Sequence, residues 1–216
     1  MKVAVTGTDG RLAEGLRADG FDVEECPLVR IEEIPGPPLR TDSYDWVILT
    51  SRHGVESLLA RLEDSLPRVA AIGPGTAEAL REGGIEPALV ASRSTQEGLL
   101  EELPRPAGRV LFAGAEGARD LLVRELDADF VPLYRTIELR PDSFPEADLA
   151  VIASPSAARA LAALEVGTSC VSIGPVTTAE ARREGLDVIA EAESHDLEGL
   201  LRAVKLAASQ AGSSPS

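Results

Sequence analysis

Lysine, histidine, cysteine and aromatic residues are all scarce in this chain of 216 residues. Aromatic residues make up 3% of it, and each of the other three types occurs only twice, at Lys2, Lys205, His53, His195, Cys26 and Cys170. The cysteines and histidines lack the spacing of metal ligands, so we expect no metal site and two reduced cysteines. Chemistry that needs a central lysine would have to use Lys2 or Lys205, and neither position favours it, because one is terminal and the other lies in the last predicted helix.

Long apolar runs and basic patches are also missing. No apolar run approaches the ~20 residues of a membrane span, and Met1-Lys2 leads directly into a strand pattern rather than a signal peptide. We therefore expect a cytoplasmic protein that does not contact a membrane. The net charge is -15 at pH 7. Without a basic stripe to replace counterions along a phosphate backbone, we expect no nucleic-acid partner.

What the chain does contain is a duplication. Ile72-Gly73-Pro74 with Thr76 recurs 101 residues later, and so does the segment Glu97-Gly98-Leu99-Leu100. Three further segments recur at similar distances; they are 45–51 with 148–154, 3–7 with 110–114, and 27–30 with 132–135. A first half-unit is followed by a second, and then both occur again, which indicates two related domains of about 100 residues each.

Short β-branched runs alternate with segments rich in Ala, Leu and Glu. This pattern predicts parallel sheets covered by helices on both faces. The predicted strands are 3–5, 46–49, 69–72, 110–112, 149–152 and 171–173. Ser, Thr, Gly and Pro follow them, as is typical of helix N-caps and first turns. Residues 29–39 and 134–141 break the alternation and are predicted to be extended connectors, and residues 209–216 are predicted to be disordered.

The polar turns after the strands are the candidate binding site. In parallel sheets ligands gather at the carboxyl ends of the strands, where helix N-termini present free N–H groups and a partial positive charge. Such turns hold carboxylates without many arginines, so an acidic chain is compatible with an anionic ligand. The candidates are Thr50, Ser51, Arg52, Gly73, Thr76, Ser154, Ser156, Gly174 and Thr177. For each hydroxyl the alternative is a helix cap without ligand contact.

Two features near these turns have two interpretations each. Arg52 and His53 form a basic pair at a helix start, where the helix dipole favours negative charge; anion contact and simple exposure both explain it. Tyr134 lies in the second connector, where the first repeat has Val29. Its hydroxyl either points into a cleft or is the wet tip of a buried ring.

Five motifs follow one another between Met1 and about Ala208: Ile-Leu-Thr-Ser51, Ile-Gly-Pro-Gly-Thr76, Pro-Leu-Tyr134-Arg-Thr, Ala-Ser154-Pro-Ser, and Ile-Gly-Pro-Val-Thr177. Together, in this order and spacing, they resemble the uroporphyrinogen-III synthase family. The resemblance implies an α/β fold of two flavodoxin-like parallel-sheet domains joined by a two-stranded connector. Residues 1–30 and 140–208 would form one domain and residues 31–139 the other. Periodicity alone equally permits two sequential domains.

The resemblance also implies an activity. The family cyclises hydroxymethylbilane, a linear tetrapyrrole bound between the domains, to uroporphyrinogen III with loss of water and inversion of ring D. It uses no cofactor and no metal. Tyr134 matches the residue that assists departure of the hydroxyl, Thr76 and Thr177 match paired threonines, and Ser51 and Ser154 match other helix-start hydroxyls. We expect a monomer that makes at most transient contact with hydroxymethylbilane synthase.

Two other functions fit part of the sequence. Residues 5–13 look like the phosphate-binding turn of short-chain dehydrogenases, but Tyr44 and Tyr134 are followed four residues later by Ile48 and Glu138 instead of the required lysine. The alternative from a different class is a non-catalytic two-domain sensor that closes on a small anion. Duplicated α/β lobes fit that function as well, because a fold does not fix a function.

Overall fold

The chain divides into two compact units. A computed structural model describes residues 1–211. Unit 1 combines Met1–Arg30 with the chain from Ile137 onward, and unit 2 is Ile31–Thr136. The chain therefore passes from one unit to the other within the two stretches predicted to be extended connectors.

Strands and helices alternate along the chain as the apolar pattern predicts. In chain order the elements are β1 (Lys2–Val5), α1 (Gly10–Ala18), β2 (Asp22–Glu25), β3 (Val29–Glu33), β4 (Trp46–Leu49), α2 (Arg52–Arg61), β5 (Arg68–Ala71), α3 (Pro74–Glu82), β6 (Leu89–Val90), α4 (Gln96–Glu102), β7 (Val110–Ala115), α5 (Leu121–Leu126), β8 (Asp129–Glu138), β9 (Leu149–Ile152), α6 (Pro155–Ala162), β10 (Ser169–Ser172), α7 (Pro175–Arg183), β11 (Val188–Glu191) and α8 (Leu197–Ala211).

The two sheets have the same strand arrangement, but the chain begins at a different strand in each. Unit 1 has the order β2-β1-β9-β10-β11, with all pairs parallel, which is the flavodoxin-like order 2-1-3-4-5. Unit 2 has the order β3-β8-β7-β4-β5-β6, in which β8-β7-β4-β5-β6 are parallel and match unit 1 strand for strand. The half-unit that comes first in unit 1 comes last in unit 2. The predicted fold class is confirmed.

The connector strands pair with each other. The N–H of Ile34 donates to the carbonyl of Leu133, and the N–H of Leu139 donates to the carbonyl of Leu28. This crossed order of partners is that of an antiparallel pair, so β3 and β8 form the two-stranded connector that was predicted. The two units change over between Arg30 and Ile31 and again between Thr136 and Ile137, within these two strands.

The central strands are buried on both faces, as continuous apolar runs predict. In unit 2, alternate residues such as Val47 and Leu49 pack under α2 and α3, while Ile48 and Phe112 pack under α4 and α5. All four of these side chains are 0% exposed. Each such side chain contributes about 1.5–3 kcal/mol by leaving water, so both faces hold the sheet in place.

The turns after the strands begin helices in two different ways. Ser51 and Ser154 are N-caps, as predicted, and their Oγ atoms accept from the N–H of Gly54 (2.9 Å) and Ala157 (3.1 Å). In α3 and α7 the caps are Gly73 and Gly174, with proline at the first helical position as predicted, and Thr76 and Thr177 lie inside the first turn. Proline is suited to this position, because it has no N–H that would need a partner there.

The repeated Glu-Gly-Leu-Leu segments have a packing cause. A Cβ on Gly98 would lie 2.4 Å from the carbonyl oxygen of Arg93, and a Cβ on Gly199 would lie 1.9 Å from that of Ser194. No side chain fits where the backbone approaches this closely. The recurrence of glycine at both positions is thus dictated by the turn before α4 and α8.

The C-terminal prediction needs a partial correction. Disorder was expected from Ser209, but α8 continues through Ala211, and Oγ of Ser209 donates to the carbonyl of Lys205 at 2.9 Å. The apolar face of this helix, which includes Val204 and Ala207, packs in the core of unit 1. This packing stabilises the last turns of the helix. The rest of the predicted segment lies outside the described residues. Among residues 1–211, no helix is both long and apolar enough to cross a membrane.

Candidate functional site

Ser51 lies where the strand order of unit 2 changes direction. It follows β4, whose neighbours are β5 on one side and β7 on the other, and the helices after β4 and β7 lead away in opposite senses. Such a switch point opens a crevice at the carboxyl ends of the strands, and ligands bind there in open α/β sheets. Tyr134 on β8 is in register with Ala115 at the end of β7. Two of the predicted site residues are thus brought to one edge.

The hydroxyls of Ser51 and Tyr134 are hydrogen-bonded. Their oxygens lie 2.7 Å apart, although the residues are 83 positions apart in the chain. The Tyr134 side chain packs beneath α2, and the residue is 6% exposed. Burial raises the pKa of Tyr134, the hydrogen bond with Ser51 lowers it, and the charge of Glu33 raises it again. The net effect is a raised pKa, so the phenol keeps its proton throughout the neutral range.

Two further side chains from α2 and β3 border the tyrosine. The His53 ring meets the Tyr134 ring edge-on, with centroids 5.9 Å apart and planes at 67°. Glu33 accepts from Oγ of Ser57 at 2.8 Å, which fixes the carboxylate whose charge acts on the tyrosine. Together these contacts hold the phenol ring in one orientation.

Arg52 and His53, the basic pair at the start of α2, have different contacts. Arg52 turns toward α3, where it forms ion pairs with Glu78 (2.7 Å) and Glu82. Its side chain is 19% exposed. Its charge is thus compensated within unit 2, whereas His53 packs on Tyr134. Neither anion contact nor simple exposure describes this pair fully.

The remaining candidates of unit 2 lie on the neighbouring turns. Thr50 is half-buried beside Gly114, where an added Cβ would lie 3.5 Å from Oγ1 of the threonine. Gly73 packs against Ser94, whose Oγ would lie 2.2 Å from an added Cβ. Thr76 is 5% exposed in the first turn of α3. The two turns therefore present backbone and hydroxyl groups with little free space for larger side chains.

The corresponding edge of unit 1 is built around Arg159. Its guanidinium contacts Glu138 and Glu180, each at 2.8 Å, and donates to Oγ of Ser156 at 3.2 Å. Hydrogen bonding to Glu180 is the main cause that raises the pKa of Arg159. Ser154 caps the same helix. Both serines are among the residues predicted from the sequence and Arg159 is not, although its position one turn after Ser156 was a usable signal.

The second turn of unit 1 places a histidine beside Gly174. An added Cβ on this glycine would lie 2.6 Å from Cδ2 of His195. Thr177 is 3% exposed in the first turn of α7. In the repeat, His195 corresponds to Ser94, which packs on Gly73 in the same way. Both repeats thus have this close contact with the glycine, but the contacting side chain is serine in one and histidine in the other. Within residues 1–211, no group of three or more His, Cys, Asp or Glu side chains is placed to hold a metal ion.

Most of the chain matches a known protein family. Residues 10–202 match the family described as uroporphyrinogen-III synthase HemD. A uroporphyrinogen-III synthase of Synechococcus elongatus is 28% identical, with 92% of this chain and 91% of that protein covered. A putative uroporphyrinogen-III synthase of Methanocaldococcus jannaschii is also 28% identical. The match covers 68% of this chain and spans 65% of the length of that relative.

Solved structures share the fold. A uroporphyrinogen III synthase of Thermus thermophilus superposes with a TM-score of 0.66 at 19% identity, over 97% of this chain and 99% of that one. The enzyme of Helicobacter pylori gives the same TM-score and the same coverage at 18% identity. At these identities the likeness establishes the two-domain α/β architecture.

Proposed function

The chain belongs to the uroporphyrinogen-III synthase family, and on that premise we propose that it cyclises hydroxymethylbilane to uroporphyrinogen III with loss of water and inversion of ring D. This is the ring-closing step of tetrapyrrole biosynthesis. The observation that supports it most directly is the buried Tyr134 hydroxyl, hydrogen-bonded to Ser51 at the switch point of unit 2.

Tyr134 is the proposed catalytic residue. Its phenol donates a proton to the terminal hydroxyl of the bilane as the carbon–oxygen bond breaks, and the electron pair of that bond leaves with the oxygen as water. The substrate carries the resulting positive charge, and Tyr134 becomes a phenolate. After ring closure and inversion of ring D, the substrate gives up a proton that restores the phenol. Because its pKa is raised, the Tyr134 phenol is protonated at neutral pH and can act as the acid.

Turns from both units are proposed to bind the substrate carboxylates. In unit 2 these are the turns that carry Thr50, Gly73 and Thr76. In unit 1 they carry Ser154, Ser156, Gly174 and Thr177. Helix N-termini supply N–H donors there. Arg52 and Arg159 already hold carboxylates of their own units, so in this proposal they shape the turns and exchange partners when substrate arrives.

Binding has a conformational task besides chemistry. The linear bilane also closes on its own to the isomer without inversion, so the enzyme must fold the chain and hold its ends near the attack geometry. Fixed turns and a fixed phenol suit this, because positioning removes much of the entropic barrier of a ring closure. We propose that the two units act as the two substrate-binding domains.

Location and partners are proposed on the same basis. Cys26 and Cys170 are both free thiols, in agreement with a reducing, cytoplasmic environment. We propose a monomer that receives its unstable substrate through transient contact with hydroxymethylbilane synthase. Sedimentation of the purified chain with and without that enzyme tests both points. The comparisons give no support to the alternative of a non-catalytic anion sensor.

Product analysis tests the proposed function. The purified protein is incubated with hydroxymethylbilane made in situ, the products are oxidised, and the porphyrin isomers of type I and type III are separated by chromatography. Heat-denatured protein serves as the control. We expect type III product from the folded protein and type I from the control. Type I product alone from a folded protein would remove the proposed activity.

A further inference from the structure

We propose that Ser51 is a positioning residue for the reaction: it donates its hydroxyl proton to Oη of Tyr134 and thereby leaves the tyrosine's own proton free for the departing hydroxyl of the substrate. This inference rests on the proposed function and deepens it. It gives Ser51 a role that acts through Tyr134 and differs from both helix capping and substrate contact.

The hydroxyl of Ser51 can form both hydrogen bonds that the proposal requires. A serine hydroxyl has one proton to donate and two lone pairs that accept. The N–H of Gly54, at 2.9 Å, occupies one lone pair as the N-cap bond of α2. The oxygen of Tyr134, at 2.7 Å, takes either the proton or the second lone pair.

The Tyr134 hydroxyl has a single proton, so the direction of its hydrogen bond with Ser51 decides whether that proton is available to the substrate. Within residues 1–211, Ser51 is the hydrogen-bond partner of its hydroxyl. If Tyr134 donates to Ser51, its single proton is occupied and none is left for the substrate. If Ser51 donates, the phenol proton is free to point elsewhere. A hydroxyl that already accepts a bond becomes a better donor, so the bond from Gly54 favours the second arrangement.

The same arrangement stabilises what the proton transfer leaves behind. The phenol proton passes to the leaving oxygen, the carbon–oxygen bond breaks with its electron pair on that oxygen, and water departs. The phenolate then accepts the hydrogen bond that the Ser51 hydroxyl donates, and this charge-assisted bond is stronger than the bond to the neutral phenol. The direction in which this hydrogen bond moves the pKa of Tyr134 agrees, since it lowers the value that burial raises.

The duplicated unit shows that capping alone does not require this pair. Ser154 caps α6 in unit 1, with its Oγ 3.1 Å from the N–H of Ala157. The residue that corresponds to Tyr134 in that repeat is Val29, which has no hydroxyl. Both serines start a helix, but only Ser51 is bonded to a phenol.

A double-mutant cycle tests the proposal. Turnover and KM are measured for Ser51→Ala, Tyr134→Phe and the variant with both changes. We expect Ser51→Ala to lower kcat about tenfold when Tyr134 is present and less than twofold in the Tyr134→Phe background, with KM nearly constant. Ser51→Thr should restore kcat, because threonine keeps the hydroxyl. Equal losses in both backgrounds, or none with Tyr134 present, would overturn the proposal.

Matched controls separate positioning from folding. Thr95→Ala removes an N-cap from α4 in the same unit, where Oγ1 accepts from Gly98 at 3.0 Å, and should leave kcat unchanged. Should Ser51→Ala fail to fold, Ser51→Gly removes the hydroxyl with a smaller loss of helix capping, because glycine is a better N-cap than alanine. Spectrophotometric titration of Tyr134 gives a readout without substrate: its pKa should rise in the Ser51 variants and not in Thr95→Ala.

The proposed activity and the positioning role of Ser51 can each be disproved separately. A wild-type protein that yields no type III product removes the proposed activity and, with it, the role of Ser51 in it. A wild-type protein that yields type III product, with independent effects of the two substitutions, leaves the activity in place and overturns the positioning role alone.

Discussion

Arg159 and Glu180 form an ion pair at 2.8 Å in which the Glu180 side chain is only 15% exposed. Removing the cation therefore leaves a poorly hydrated carboxylate. Glu180 keeps a second partner in Arg183, also at 2.8 Å, but that side chain is 66% exposed and compensates weakly. The pair thus joins α6 to α7 through a contact that solvent does not replace.

We expect Arg159→Met to lower the free energy of unfolding by about 1–3 kcal/mol. Glu138→Gln removes the other ion pair of the same guanidinium, but the Glu138 side chain is 37% exposed, so a loss of less than about 1 kcal/mol is expected. Urea unfolding of both variants at neutral pH provides the measurement. Equal losses would show that the burial of Glu180 does not decide the energy.

Tyr134→Phe should lower kcat by roughly tenfold to a hundredfold without abolishing activity, because a single general acid typically contributes on this scale or somewhat above it. KM should change little, since the ring and its packing remain. Tyr44→Phe is the matched control: Tyr44 donates to Asp129 at 2.9 Å, at the amino ends of the strands. Formation of type III product measures both. A complete loss in the folded Tyr134 variant would assign this residue more than proton donation.

Alkaline pH should destabilise the protein through its buried phenol. Burial is the main cause that raises the pKa of Tyr134 above its ordinary value near 10. The folded state then binds more protons than the unfolded state, so this stabilisation is complete below pH ~10 and is lost as the pH rises through the folded-state pKa. Near-ultraviolet absorbance in a Tyr44→Phe background follows Tyr134 alone. A phenol that ionises in the ordinary range would contradict its burial.

The two cysteines should differ in reactivity. Burial raises the pKa of Cys170 to about 12, and it raises that of the half-buried Cys26 as well. The thiolate is the reactive form, so Cys170 should resist a thiol reagent until the protein unfolds. Cys26 should react slowly in the native state. Labelling of Cys26→Ser and Cys170→Ser variants with and without denaturant distinguishes the sites, and rapid native labelling of Cys26→Ser would contradict the expectation.

Gly98→Ala should lower the free energy of unfolding by about 2–3 kcal/mol, because the new Cβ meets the carbonyl oxygen of Arg93. Gly117→Ala in the same unit has nothing within 4 Å of an added Cβ and should have little effect. Thermal unfolding measures the difference. A neutral Gly98→Ala would mean that the turn before α4 moves freely.

The sequence predicted the central strands well and the edges poorly. β4 and β9 occupy their predicted positions, because strands buried on both faces produce continuous apolar runs. β2 was not predicted: it reads Asp-Val-Glu-Glu and lies at the edge of its sheet, where exposed side chains give no such run. β8 begins five residues before the predicted connector at Tyr134, since it serves first as a sheet strand and then as the connector.

The candidate site was predictable as a set of turns but not as a set of contacts. Repetition and strand ends point to the position of Ser51, and family resemblance points to Tyr134. Their hydrogen bond joins residues 83 positions apart, and only the pairing of β8 beside β7 brings them together. The partners of Arg52 are equally non-local, since they lie on the next helix. Sequence patterns describe local periodicity, whereas these contacts depend on the sheet order.

The permuted order of the two units has a consequence during synthesis. Unit 2 is one continuous segment, Ile31–Thr136, so its sheet can form as soon as that segment has left the ribosome. Unit 1 must wait, because β1 and β2 are made first, whereas β9, which pairs with the other side of β1, begins only at Leu149. Pairing of β3 with β8 brings residues 28 and 139 together, which shortens the long loop that unit 1 must close. The early-made pair of β1 and β2 therefore lacks the neighbouring strand β9 until the second unit has been made and the chain has returned to unit 1.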